Sequence, residues 1–436
     1  MVNSERISLA HFTLNNCGKE KGEALAGVER VIDTQQGLLQ GFGIDVRIVV
    51  GETDCEDLPR RNIILVPEIR SNPDWSWKNG DAEIDEAQVA LTLQRLTQVF
   101  ENSGVVFHNT TNASKHNVPF GVAAARYVSE HPNAVIWVHD LRGASGKQLQ
   151  LLLPDRKLAR LVCVSSARRN KVEEMLKKIQ QEEGIRMPEY ELLVVPNPID
   201  AQFFRQDIPQ TDNLRVLAPN YEQFARSNGL YFNPQLAERL LFEDDTVRFL
   251  VPARIVRNKG IDKAIKTARE YSAYTGEQVA VIITGPADLR KAENQQYWHQ
   301  ELLPVLQGLN GRGNFHVLAL GGVAWEYMPF LGTRSHALLA PFENEGFCMP
   351  LIENGLMGVP SIINRDEAMI ETTGGHALIV SPDDWGAQRA AQSIHRYLTS
   401  EKVSLDIRAI KEKAWGQLHP NRVAEQIVSA VNMKNV

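Results

Sequence analysis

The sequence predicts an α/β protein in which parallel sheets are covered by helices. Short apolar runs alternate along the chain with longer amphipathic stretches, the pattern of strands joined by crossover helices. At 436 residues the chain is long enough for two such domains. A hydrophobic content of 43% and a charged content of 23% are those of an ordinary globular protein.

Ile7 to His11 reads as the first strand. The Gly-containing loop Asn15 to Gly27 then leads into a helix over Val28 to Gln40. Val46–Val50 and Ile63–Pro67 read as strands. Trp75 to Asp85 is a polar loop before a helix near Glu86 to Asn102. Val105–Phe107, Ala134–Val138, Leu161–Val164 and Leu192–Pro196 complete the first sheet. Ala201 to Thr246 is less regular, with a short helix at Gln235–Leu241, and reads as a connection. Val247–Val251, Val279–Thr284, His316–Leu320, Ala337–Ala340, Ser361–Asn364 and Ala377–Val380 form a second sheet. The last helix, from Pro420 to about Met433, is amphipathic. The expected division is a first domain over 1–215, a second over 216–417, and a terminal helix over 418–436.

A net charge of −6 argues against nucleic acid, which selects basic surfaces, and against anionic lipid. The four cysteines, Cys17, Cys55, Cys163 and Cys348, are widely spaced and include no C-x-x-C pair. A disulfide framework or zinc site is not expected, and a reducing cytoplasm fits best. No signal-peptide pattern opens the chain, and no apolar run reaches the length of about 18 residues that a membrane span needs. A soluble, intracellular protein is expected.

The most informative stretch runs from Pro341 to Pro360, P-F-E-N-E-G-F-C-M-P-L-I-E-N-G-L-M-G-V-P. Pro350 suits the first helical position, where its missing N–H has no partner anyway. Glu345 then lies in the loop before a helix and Glu353 in its first turn. The free N–H groups and the helix dipole make an anion site. Acids on either side suggest a sugar nucleotide, with hydroxyls for the acids and a diphosphate for the N–H groups. An ordinary helix with a first-turn Glu is the plainer reading of the two acids alone.

In Pro252-Ala253-Arg254-Ile255-Val256-Arg257-Asn258-Lys259-Gly260, a strand end leads into a helix. Fixed cations there would stabilise a leaving diphosphate as its charge develops, or would simply be solvated at a sheet edge. Trp137-Val138-His139-Asp140 ends a strand of the first domain. His139 is either a site residue or a buried hydrogen-bonding histidine. His108 and Asn109 end a neighbouring strand, where ligands of open α/β sheets bind. Arg142 could reach an anionic acceptor or lie exposed.

The segment from Pro341 to Pro360 resembles the Glu-x7-Glu signature of the retaining glycosyltransferases of family 4, which have the B-type fold of two Rossmann-like domains facing a central cleft. Cys348 stands where that family has Gly after the Phe. Arg254 to Gly260 is similar to the family's Arg-x4-Lys-Gly element, and His139 to its strand-ending His. Ala26-Gly27-Val28-Glu29-Arg30 resembles the start of its first helix, with Ala26 in place of one Gly. Pro196-Asn197-Pro198-Ile199-Asp200 is similar to the turn that closes its first domain. Gly285 resembles a strand-end Gly at the nucleotide base, although Pro286-Ala287-Asp288 departs from that pattern. Trp325 to Met328 resembles a helix start near the base and reads as packing.

The resemblance implies a hexosyltransferase using an NDP-sugar, UDP- or GDP-linked, with retention of configuration. His139, Arg254, Lys259 and Glu345 would be catalytic. Gly27, Gly285, Phe347, Cys348, Met349, Leu351 and Glu353 would bind the donor, with Glu353 on the ribose. His108, Asn109 and Arg142 would face the acceptor, a sugar, sugar phosphate or glycerate-type compound. No metal site is expected: no D-x-D motif lies at a suitable place, so cationic side chains would stand in for a metal. Two-Rossmann epimerases or hydrolases, a lipid-linked or polysaccharide acceptor, and a non-catalytic nucleotide-sugar sensor are the alternatives.

Overall fold

The structure is a computed structural model. It describes residues 6–14, 27–53, 55, 58, 61–77, 83–139, 145–205, 208–289, 291–309 and 313–431. The chain divides into two units. Within the described residues, the first holds 6–198 and 417–431, and the second holds 199–416. The sequence pattern placed the join at 215. The structure places residues 199–215 with the second unit, where Asp200 accepts a hydrogen bond from Trp325 Nε1 at 2.9 Å.

The first unit carries a parallel sheet of β1 (Arg6–Leu14), β2 (Asp45–Thr53), β3 (Ile63–Leu65), β4 (Gly104–His108), β5 (Ala134–Val138), β6 (Arg160–Cys163) and β7 (Glu191–Val194). Its order is β3-β2-β1-β4-β5-β6-β7. The inner strands are buried on both faces, as parallel strands covered by helices must be. Phe12, Phe107, Phe120 and Tyr127 pack edge to face or tilted in its core. Helix Pro420–Val431 belongs to this unit: Arg160, nearly buried, donates to the carbonyl of Ala430 at 2.6 Å. That satisfies a carbonyl orphaned at the helix's C-terminal end.

The second unit carries β8 (Val247–Val251), β9 (Val279–Ile283), β10 (Phe315–Ala319), β11 (Ala337–Ala340), β12 (Ser361–Asn364) and β13 (Leu378–Val380). Its order is β10-β9-β8-β11-β12-β13, all parallel. In each sheet the strand order reverses beside the first strand, between β1 and β4 and between β8 and β11. Loops leaving the carboxyl ends of those neighbours diverge and leave a crevice, where open α/β sheets hold ligands.

Two boundaries differ from expectation. The helix opened by Glu86 stops at Val99, and Asn102 turns the chain left-handed at φ 58° before β4. Helix Met349–Leu356 begins one residue before Pro350, so Glu353 sits in its second turn rather than its first. Cys55 is disulfide-bonded, contrary to the expectation from cysteine spacing. Chain spacing did not show that Cys55 would reach the end of β1, where its Sγ lies 3.9 Å from the Leu14 carbonyl. Cys163 and Cys348 are free and buried, and Cys17 lies outside the described residues. Cysteine pairing therefore gives no argument for a reducing compartment. Among the described residues, no helix is long and apolar enough to cross a membrane.

Candidate active site

The second unit brings together the loops that follow β8 and β11. After β8 the chain runs to a 3-10 turn, Arg257–Lys259, and then to helix Ile261–Thr275. Gly260 joins them at φ 54°, and a Cβ there would lie 2.9 Å from the Pro341 carbonyl oxygen. Only glycine allows both the turn and this approach. The two loops are then tied by backbone, with Glu343 N–H donating to the Asn258 carbonyl at 2.9 Å.

This contact sets Lys259 against Glu345. Lys259 Nζ donates to Glu345 Oε1 at 2.8 Å and lies 4.3 Å from the Phe342 ring centroid. Both side chains of the ion pair are largely buried. The Glu345 backbone N–H is held in turn by Asp366 Oδ2 at 3.3 Å. Asp366 also caps helix Glu367–Thr373 through the N–H groups of Ala368 and Met369.

Arg254 is placed by another loop, with its Nη1 donating to Asp288 Oδ2 at 2.6 Å. Arg257, between the two, pairs with Glu301 and lies over the Tyr297 ring. Lys263 Nζ pairs with Glu343 at 2.7 Å. Each cation of this face thus has a carboxylate beside it. A bound anion would share these cations rather than find them bare.

Helix Met349–Leu356 starts in the same loop and has no side-chain cap. Pro350 brings no N–H to its first turn and the Leu351 N–H donates to the Cys348 carbonyl at 3.1 Å, while the helix dipole favours a negative charge at this end. Cys348 holds the N-cap position at φ 62° and ψ 65°, and Asn344 has φ 60°. Two non-glycine residues in the left-handed region within one short loop are a local strain. Burial compensates at Cys348, whose side chain belongs to the core of the unit. Burial, and next Glu345, push its thiol well above the usual cysteine range. Phe347, Leu351 and Glu353 are buried, and Met349 is half-buried. The Leu351 side chain is fully buried, and its N–H is already engaged by Cys348.

Gly285 follows β9, and a Cβ there would meet the Ala253 carbonyl oxygen at 2.5 Å and the Arg254 nitrogen at 2.7 Å. The missing side chain makes room for the protein's own backbone, where the sequence pattern suggested room for a nucleotide base. Gly27 opens helix Gly27–Gly41 in the first unit, and a Cβ there meets nothing within 4 Å. The fold itself does not demand glycine at that position.

The first unit gathers three histidines, His11 inside β1, His108 at the carboxyl end of β4 and His139 just after β5. His108 Nδ1 lies 3.1 Å from His139 Nε2, and the rings are tilted by 32°. His11 was not singled out in the sequence, although it closes the strand read over Ile7 to His11, which the structure extends to Leu14. Its Nδ1 lies 2.8 Å from the Thr13 carbonyl, so that nitrogen carries the proton. Thr13 Oγ1 donates to the buried Glu29 at 2.9 Å, which ties the first strand to the first helix. Burial lowers all three histidines, His11 to about 4, His139 to about 3 and His108 well below its usual value. The neighbouring His11 lowers both His108 and His139 further. At neutral pH the cluster offers uncharged hydrogen-bonding rings, not cations. His108 Nε2 and Asn109 Oδ1 are buried without hydrogen-bond partners among the described residues. Arg142 lies outside the described residues. Among those described, no group of three or more His, Cys, Asp or Glu is placed to hold a metal ion.

Two Rossmann-like sheets with loops of this kind define the B-type glycosyltransferase fold, and solved structures bear this out. Trehalose-6-phosphate synthase OtsA superposes with a TM-score of 0.67 at 14% identity, covering 99% of this chain and 99% of that one. HepE from Anabaena, solved with UDP and glucose, gives 0.62 at 15% identity over 98% and 99%. WaaG, a glycosyltransferase involved in lipopolysaccharide biosynthesis, gives 0.57 at 13% identity over 97% and 99%. No curated protein matches the sequence. Residues 233–414 match the family "Glycosyl transferases group 1".

Proposed function

We propose that the chain moves a hexose from a UDP- or GDP-sugar to a small soluble acceptor, such as a sugar, a sugar phosphate or a glycerate-type compound. One observation carries the donor site. Arg254 and Lys259 leave the end of β8, and Glu345 and an uncapped helix N-terminus leave the end of β11, at the switch point of one sheet. Arg254, Lys259 and the N–H groups around Phe347 to Leu351 hold the diphosphate. Glu345 accepts from a donor-sugar hydroxyl and Glu353 from the ribose. In the first unit, Gly27 is assigned to donor binding, His139 to catalysis, and His108 and Asn109 to the acceptor.

In the transfer, the acceptor hydroxyl oxygen bonds to the anomeric carbon on the face from which the diphosphate departs. The bond between that carbon and the phosphate oxygen breaks, and its electron pair leaves with the NDP. The acceptor proton passes to a phosphate oxygen. The protein's part is electrostatic. The two cations meet more charge on the departing diphosphate than on the bound donor, and so favour the transition state.

The acidic charge of −6 supports a soluble acceptor over an anionic lipid surface. The likeness to a trehalose-6-phosphate synthase is in keeping with a sugar-phosphate acceptor. Thermal-shift titration with UDP-, GDP- and ADP-sugars tests the donor site, since a ligand that binds only the native state must raise the melting temperature. A rise with one base, lost in Lys259→Ala, is expected. No rise with any of the three would refute the reading.

A further inference from the structure

The loop after β9 is laced to the strand end that carries Arg254. Gly285 N–H donates to the Ala253 carbonyl at 3.2 Å, Ile255 N–H to Pro286 at 2.9 Å, and Asp288 N–H to Ile255 at 3.2 Å. Ile255 and Ala287 form an isolated parallel bridge. The absent side chain of Gly285 permits this approach. The lacing fixes Asp288 relative to Arg254, and its carboxylate, 13% exposed, takes the guanidinium at 2.6 Å.

The contact uses one end of the fork. Asp288 takes Nη1, and the Arg254 side chain is 36% exposed. Nε–H and the second terminal nitrogen remain for another oxygen anion. A guanidinium held by one terminal nitrogen keeps its plane and still presents donors in a fixed geometry. An unanchored arginine would have to lose its side-chain freedom when the ligand arrives, at a cost in affinity.

We infer that Asp288 is a positioning residue, which holds Arg254 through Nη1 so that the rest of its guanidinium is oriented for the second phosphate of a nucleoside diphosphate. This rests on the donor reading above. In this role Asp288 touches no substrate and reaches the ligand through Arg254.

A double-mutant cycle tests it, with affinity read by calorimetry for UDP, GDP and ADP against UMP, GMP and AMP. For the base that binds, Asp288→Ala should weaken the diphosphate about tenfold and leave the monophosphate within about twofold. Asp288→Asn keeps the shape and an acceptor oxygen, and should weaken the diphosphate about threefold to fivefold. Neither change should cost anything further in an Arg254→Ala background. If Arg254→Ala weakens the diphosphate but the Asp288 variants bind it as the wild type does, the inference fails and the donor reading stands. The inference fails in the same way if the Asp288 changes cost equal affinity in both backgrounds, or weaken the monophosphate as much as the diphosphate. If no diphosphate binds, or Arg254→Ala binds it normally, the donor reading fails and the inference with it.

Discussion

Lys259 and Glu345 lie 86 positions apart in the chain, yet the ammonium sits 2.8 Å from the carboxylate. The pair bridges the two loops at the switch point of the second sheet, and Lys259 also lies over the Phe342 ring. Replacing Lys259 with Ala removes the cation and leaves Glu345 unneutralised in a mostly buried place. Turnover should fall about 100- to 1000-fold, the usual cost of losing one transition-state charge contact. The far-ultraviolet circular dichroism should not change, since the side chain belongs to no core cluster. Turnover within threefold of wild type, measured as NDP release, would remove Lys259 from the machinery.

The two glycines of the donor assignment should part company. At Gly285 an alanine Cβ would press on the Ala253 carbonyl at 2.5 Å, a contact with backbone that cannot swing away. Gly285→Ala is expected to cost more than about 2 kcal/mol in urea unfolding. Gly27→Ala meets nothing within 4 Å at the start of a helix. It should be neutral, or should stabilise by up to about 1 kcal/mol. Equal melting temperatures for the two variants would contradict the packing described here.

Cys348 carries the cost of φ 62° with a buried side chain. A β-branched residue is far worse in that region, so Cys348→Val should destabilise by about 2 kcal/mol or more. Cys348→Gly trades relief of strain against lost packing and should stay within about 1 kcal/mol of wild type. The free thiols are also protected. Burial pushes the Cys163 thiol up to about 12 and Cys348 well above its usual value. Neither should react with a thiol reagent at pH 8 until the protein is unfolded. Rapid labelling of either in the native protein would show that the burial is wrong.

The histidines make stability depend on pH. His11 is lowered to about 4 and His139 to about 3, while the unfolded chain holds its histidines near 6.5. Between these values the unfolded state binds more protons, so stability is full above about pH 6.5 and declines as pH falls towards 4. For His11 the fully developed loss is roughly 3 kcal/mol. Urea midpoints measured from pH 7.5 to 4.5 should fall, and His11→Asn should flatten the slope. An unchanged midpoint over that range would mean the rings are hydrated and charged.

Most of the fold was legible because parallel strands buried on both faces are apolar throughout and end in turn residues. The strand Ala134–Val138 and all the others were found to within about three residues. The loops proposed to hold the donor were legible as well, since Gly260 and Pro350 mark a turn and a helix start by their own chemistry. What the sequence hid was pairing across space. Asp288 reads as a departure from a glycine turn until the lacing of 285–288 to 253–255 puts it on Arg254. Asp366 was not singled out in the sequence, and it both caps helix Glu367–Thr373 and takes the Glu345 N–H. His11 carried the same strand-end signal as His108 and His139, and lacked only a motif around it. The disulfide at Cys55 depends on a neighbour in three dimensions, which spacing along the chain does not report.

Because helix Pro420–Val431 seats against the sheet containing β4 and β6, the amino-terminal unit is discontinuous in the polypeptide. A ribosome must release residues 417–431 before that unit has all its parts, whereas residues 199–416 form an unbroken stretch. During synthesis, the portion made second is thus expected to close first. The portion made first waits with an uncovered flank, as a client for chaperones, until the tail arrives.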